Sequence, residues 1–299
     1  MSEVTRKPYE RRDPLVGLLF VGPQVLGFFA FVVFPIVLVL WFSLHDFNLV
    51  FGTFEFLGLE NYERLLSDPV ARTVMVNTLV FTAGYVPLNV GLGLAAALFV
   101  NGETRSKRWL RAAFFLPVIV SLPAWTIVWR FILQPSGALN AAISGVGGPE
   151  LEWLRNPTLA MSSVIIVQAL KTFGLAMVFF LGALQGVPRH LEEAATIDGA
   201  SRWQMVRNVI LPLIAPFTFL VIVLTIIDSF KTFSLIFLMT NGGPGYTTTV
   251  LSYYVYDRGF IAFEQGYAAA ISTLLFAIIL VVTVVQFAIR RRWVFQEGP

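Results

Sequence analysis

The chain contains no cysteine and only two histidines, His45 and His190. It therefore has no disulfide framework and no thiolate metal ligands, and two separated histidines cannot form a metal cluster alone. Charge is also scarce: 13% of the 299 residues are charged against 57% hydrophobic, and the mean hydropathy is +0.75. That balance excludes a soluble domain of this length and points to a polytopic membrane protein. No Gly-Lys pair occurs anywhere, so a phosphate-cradling P-loop is absent. The glycine-rich run Asn241 to Gly245 lacks that lysine and reads as a turn. No grouping of nucleophile, base and orienter stands out, so the expectation is no catalytic, cofactor or metal site. The net charge of +3 is expected to come from loops that set orientation in a membrane, with no nucleic-acid partner.

What the chain does have is long apolar runs. A helix needs about 20 mainly apolar residues to cross a hydrocarbon layer of ~30 Å, because lipid offers no partners for free backbone groups. Six segments meet that need, at 15–44, 73–100, 110–133, 159–185, 213–239 and 267–289, giving an all-α domain over 15–289 between tails 1–14 and 290–299. Lys and Arg number four, four, three and three in the N-terminal tail, the 101–111 loop, the 186–212 loop and the C-terminal tail; the alternating loops hold two, one and one. This bias places both termini and the 186–212 loop in the cytoplasm, with 45–72, 134–158 and 240–266 outside. Trp41, Trp109, Trp129 and Trp293 fall near span ends, where indoles favour the headgroup layer. The basic N-terminus with its apolar run superficially resembles a secretory signal, but the run is too long and no small-residue cleavage site follows, so it reads as a retained first helix. Gly22, Gly91, Gly93 and prolines such as Pro23, Pro35 and Pro87 inside spans suggest close helix packing and bends.

Between Pro188 and Pro212 lies a polar island. Pro188 suits the first turn of a helix running through Leu191 to Ile197, and Gly199 ends it; Trp203, Val206 and Ile210 then recur at helical spacing. Helix, turn, helix is the expectation. Glu192 and Glu193 would sit in the first turn and favour the positive end of the helix dipole, which is a purely local role. Ala194 and Ala195 leave room for another protein to approach closely, and the acids could meet basic groups on it. The alternative is an amphipathic helix lying on lipid, although such helices usually carry Lys and Arg on the polar face.

Glu193-Ala194-Ala195, then Asp198-Gly199-Ala200, then, with nine residues between the glycine and Val209, Val209-Ile210-Leu211-Pro212, resembles the EAA loop of permease subunits of binding-protein-dependent ATP-binding cassette importers. Val209 stands where that family usually has isoleucine. The longer form through Trp203 and Gln204 is closest to the carbohydrate-uptake branch with maltose and glycerol-3-phosphate permeases, as are Phe56 to Tyr62, Ala183 to Pro188, and Phe230 to Phe233 with Thr240 to Gly245. The resemblance implies a type I importer fold in the cytoplasmic membrane of a bacterium or archaeon. It also implies a loop, Glu192 to Ala195, Asp198 to Ala200, Trp203, Leu211 and Pro212, that docks into a cytoplasmic ATPase subunit. The implied partners are a second permease, two ATPases that hold ATP and magnesium, and an extracytoplasmic solute-binding protein. An ion-gradient-driven transporter and a membrane enzyme or scaffold are the competing classes.

Ionisable groups at mid-span are costly and usually face the bundle interior. Lys171, Asp228 and Lys231 fall at such depths, with Gln168, Thr172, Asn77 and Asn89 as polar company. Two readings compete: a translocation path that hydrogen-bonds a hydroxylated solute, or a Lys171 to Asp228 pair neutralising itself between packed helices. Arg130, near the outer end of its span, is expected to snorkel.

Overall fold

The computed structural model describes residues 14–48, 52–102 and 104–293. Expectations for residues 1–13 and 294–299, and for the Trp293 side chain, lie outside them. The chain opens with α1 (Pro14–Phe28) and α2 (Phe34–Phe42), joined through a wide π turn at Phe29–Val33. A hairpin of β1 (His45–Asn48) and β2 (Thr53–Phe56) and a short α3 (Glu60–Ser67) lead into α4 (Pro69–Val100). Then follow α5 (Arg105–Ile119), α6 (Leu122–Leu133), α7 (Ala138–Gly145) and α8 (Pro157–Gln185). The polar island forms α9 (Arg189–Ile197), α10 (Arg202–Met205), a π turn at Val206–Ile210 and α11 (Leu211–Leu213). The chain closes with α12 (Ala215–Phe230), α13 (Ser234–Met239), α14 (Leu251–Tyr256), a π turn at Asp257–Ile261 and α15 (Gln265–Trp293).

Among the described residues four helices are long and apolar enough to cross a membrane, Leu19–Phe42, Pro69–Val100, Pro157–Gln185 and Gln265–Ile289. Six result if each of two bent pairs is one span: Arg105–Ile119 with Leu122–Gly145, bent by 99°, and Arg202–Leu213 with Ala215–Phe230, bent by 74°. The third and fifth spans, expected at 110–133 and 213–239, are thus sharply bent. The fifth also stops at Phe230, and Lys231 to Phe233 separate it from α13. The helical fold class holds with one addition, the antiparallel hairpin that sets His45 opposite Phe56 and Phe47 opposite Phe54. Its buried His45 binds the Trp41 carbonyl through Nδ1 at 2.8 Å and stacks on Phe54.

Local chemistry explains the ends. Asp68 accepts from the Val70 N–H at 2.8 Å ahead of Pro69, and Asn156 accepts from the Thr158 N–H at 2.9 Å ahead of Pro157, so α4 and α8 start with the same cap-then-proline device. In two π turns the closing N–H belongs to the residue just before a proline: Phe34 N–H bonds Phe29 O before Pro35, and Leu211 N–H bonds Val206 O before Pro212. A proline ring crowds the carbonyl four residues back, and a wider turn relieves that crowding.

The centre is the pair α4 and α8, with α12 against α4 and α5 against α8. A Cβ on Gly93 would come 2.6 Å from the Ala176 Cβ, and one on Gly174 would run into the Phe114 carbonyl, so these two glycines set how closely the helices approach. A Cβ on Gly22 or Gly91 would meet nothing within 4 Å, so neither glycine serves packing within this chain. One apolar cluster, around Phe81, Tyr85 and Val164, fills one half of the bundle; another, around Val100, Phe180, Ile210 and Ile214, fills the half that meets the polar island.

Candidate functional site

The island is a helix, a tight turn and a second helix. Gly199 has φ +77°, a left-handed backbone that only glycine adopts without strain, and it ends α9. Ser201 and Gln204 then form a capping box, the Ser201 N–H donating to Gln204 Oε1 at 2.8 Å and the Gln204 N–H to Ser201 Oγ at 3.4 Å. That pair escaped the sequence reading, although Ser-x-x-Gln was legible. Glu192 lies in the first turn of α9 as expected, but Glu193 falls beyond it, which corrects the expectation for Glu193. The segment is anchored by its far end: Ile210 and Ile214 are buried, and Met205, Val206 and Leu211 pack on the same cluster as the inner ends of α4 and α8.

The opposite side of the island faces outward. Ile197 is 86% exposed and Trp203 69%, Glu193, Ala194, Asp198, Gly199 and Pro212 are exposed, and Glu192, Ala195, Ala200 and Leu211 are half-buried. Two large apolar side chains flanked by acids on a protruding segment make a surface that a soluble protein can cover. Ile197 was not among the residues singled out from sequence. An open cleft of about 1070 Å³ runs behind α9, bringing Glu192 and Glu193 to the same space as Arg111 and Gly102. Arg111 donates to Val100 O at 3.0 Å and Gly102 O at 2.6 Å, and Lys107 donates to Asn101 O, so two basic groups at the start of α5 cap the end of α4.

A second assembly lies inside the bundle. Tyr85 on α4 donates to Asp228 Oδ2 on α12 at 2.7 Å, and Gln168 on α8 donates to the same oxygen at 3.3 Å. Thr172 lies 2.9 Å from the Tyr85 hydroxyl and 3.1 Å from Asn89 Oδ1, while Asn89 donates to Thr225 at 3.3 Å. Thr82 and Ser229 bond at 2.9 Å beside them. Four of the expected polar residues, Asn89, Gln168, Thr172 and Asp228, thus meet. Tyr85, Thr82, Thr225 and Ser229 join them without having been singled out; Tyr85 shares the helix face of Asn89, four residues on, which was the available signal.

The other three expected residues do not join. Asn77 donates to Tyr246 O at 2.6 Å and Thr249 O at 3.1 Å, holding the 240–250 loop. Lys231 is exposed at the C-terminal end of α12. Lys171 makes no ion pair with Asp228 among the described residues, so the self-neutralising pair is corrected. Its Nζ instead donates to Pro117 O at 2.6 Å, Val118 O at 3.2 Å and Val120 O at 2.7 Å. Pro117 and Val118 belong to the last turn of α5 and Val120 caps it; the break before α6 leaves their carbonyls without helical partners, and a cation there also suits the helix dipole. Arg130 reaches Leu238 O at 3.4 Å, at the end of α13.

Residues 89–294 match the family model described as the binding-protein-dependent transport system inner membrane component. The chain belongs to this family. Among its relatives, the probable ABC transporter permease protein YesP of Bacillus subtilis is 31% identical over 293 residues, 96% of this chain and 94% of that one. The trehalose/maltose transport system permease protein MalF of Thermococcus litoralis is 31% identical over 94% of this chain and 95% of its own. The sn-glycerol-3-phosphate transport system permease protein UgpA of Pectobacterium atrosepticum is 30% identical over 92% and 94%. A bacterial alginate ABC transporter, solved in complex with a periplasmic protein bound to alginate pentasaccharide, has a chain of the same fold, with TM-score 0.82 and 22% identity over 94% of this chain and 95% of that one. Membership sets aside the ion-gradient-driven class and makes this permease a transport subunit of the importer type.

The permease is knotted at the end opposite the island. Asp68 Oδ2 accepts from Tyr254 at 2.7 Å and Tyr267 at 2.8 Å, joining α4, α14 and α15. Burial opposes the charge on Asp68, but the two phenols and the Val70 and Ala71 N–H groups outweigh it and hold the carboxyl below its ordinary value of 3.8. Arg64 pairs with Glu264 at 2.8 Å and lies over the Tyr267 ring.

Proposed function

We propose that this chain is one permease subunit of an ATP-driven importer for a sugar or sugar-like solute, either an oligosaccharide or a glycerol phosphate. It pairs with a second, similar permease, two cytoplasmic ABC ATPases carrying ATP and magnesium, and an extracytoplasmic solute-binding protein. The observation that carries the coupling role is the two-sided island: Ile210 and Ile214 sit in the core while Ile197, Trp203 and Glu193 protrude. A rigid piece anchored in the spans and gripped by an ATPase transmits ATPase closure to the bundle. Differential contact with open and closed ATPase dimers then biases inward- and outward-open arrangements. Glu192, Glu193, Ala194, Ala195, Asp198, Gly199, Ala200, Trp203, Leu211 and Pro212 form this coupling segment. The Tyr85, Asn89, Gln168, Thr172 and Asp228 cluster lines the solute path, with Lys231 near its outer end and Asn77 shaping the loop above. Lys171 contributes by holding the bend of the third span.

The test is solute uptake by proteoliposomes holding the assembled importer. Glu193→Lys and Gly199→Arg abolish ATP-dependent uptake while the permease still inserts. Normal uptake with normal solute-stimulated ATP hydrolysis in both variants would remove the coupling role.

A further inference from the structure

Resting on the importer reading, we infer that Asp228 makes the intramembrane site selective for uncharged polyhydroxy solutes and repels phosphates and carboxylates. Asp228 is exposed in this chain although Thr225, Ser229 and Phe230 around it are buried. A carboxylate at that depth does not face lipid, so its open side meets a watery cavity between subunits.

The hydrogen-bond directions set the chemistry. Tyr85 spends its single proton on Asp228, at 2.7 Å, and Gln168 adds a second donor to the same carboxylate oxygen at 3.3 Å. The network therefore runs downhill to an acceptor. Among the described residues the second oxygen, Oδ1, receives no hydrogen bond. A solute hydroxyl completes it with a charge-assisted bond, whereas an anion brings like charge and finds no donor there.

The nearby cations do not reverse this. Lys171 is committed to three carbonyls at the end of α5, those of Pro117, Val118 and the capping Val120. Lys231 lies past the end of α12 and makes no ion pair with Asp228. Phe233 and Tyr256 pack on the apolar core that contains Tyr85, with ring centroids 5.1 Å apart, and ring faces of this kind suit the C–H surfaces of a neutral sugar.

The decisive experiment uses the importer reconstituted with its partner permease, ATPases and binding protein. ATP-dependent uptake is measured for glycerol, glucose, maltose and trehalose against sn-glycerol-3-phosphate and glucuronate. Uptake is expected for neutral probes alone, and Asp228→Asn should lower neutral solute imported per ATP hydrolysed by roughly tenfold, a ratio that does not depend on how much variant folds. ATP-dependent import of the anions overturns the selectivity and leaves the importer reading standing. So does a fall caused by Lys231→Gln in place of Asp228→Asn. Uptake that proceeds without the ATPases overturns the importer reading, and ATP-dependent import of neither panel overturns both.

Discussion

Replacing Lys171 with methionine keeps the length of the side chain and removes its charge from a site where the residue is only 9% exposed. Three carbonyls lose their donor, at 2.6, 3.2 and 2.7 Å. Hydrogen bonds to a charged group contribute about 1.5–3 kcal/mol each, so a simple sum is too large. Burying the ammonium costs several kcal/mol in its own right, and methionine escapes that cost. The net loss is therefore about 3 kcal/mol, which lowers the melting midpoint of the detergent-solubilised importer by roughly 6–12 °C. A double-mutant cycle with Asp228→Asn separates the two explanations of a mid-membrane lysine. A carbonyl cap predicts additive losses, within about 0.5 kcal/mol. If Asp228→Asn instead restores much of what Lys171→Met loses, the two residues are a charge pair and the capping argument is wrong.

Further predictions follow from the same contacts. Ile210→Ala empties part of the anchor of the coupling segment and costs about 3 kcal/mol; ATP hydrolysis should persist with reduced solute per ATP, as read by paired uptake and phosphate-release assays. Gly174→Leu forces a side chain into the Phe114 carbonyl, and assembled importer on a sizing column should fall sharply, while Gly91→Leu, in open space, leaves it unchanged. Asp68→Ala removes a helix cap and two phenol hydrogen bonds, about 2 kcal/mol at neutral pH. Because folding lowers the Asp68 pKa, that contribution is complete above its ordinary value of 3.8 and is lost as pH falls through the depressed one. Melting curves of wild type and variant should therefore converge in acid.

The spans were legible because a run such as 157–185 has nothing to do but cross lipid. The island was legible because acids, alanines and Gly199 interrupt such runs at a fixed spacing. The bends were harder to foresee. Pro117 and Pro123 flank Val120 and Ser121 and allow a bend, but they do not give its size of 99°, and the Lys171 that caps the freed carbonyls lies 51 residues from Val120 in sequence. The same distance in sequence hid the true partners of Asp228, because Tyr85 reaches it across 143 residues and tyrosine in an apolar helix reads as core. Opposite charges at similar depth suggested a pair, but a lysine satisfies carbonyls as readily as a carboxylate when a broken helix offers them. The hairpin at His45 to Phe56 was too short and too mixed in polarity to register as strand.

The absence of cysteine allows the most direct measurement, because single cysteines can be introduced with no native thiols to remove. Ala195→Cys in the coupling segment and Thr247→Cys in the opposite loop are each tested for cross-linking to the ATPase subunits of the assembled importer. An ATPase cross-link from position 195 that changes in yield with ATP, and none from position 247, is the expected result. No ATPase cross-link from position 195 in any nucleotide state, with the segment reacting instead with lipid-borne probes, would contradict the claim that this segment couples the permease to its motor.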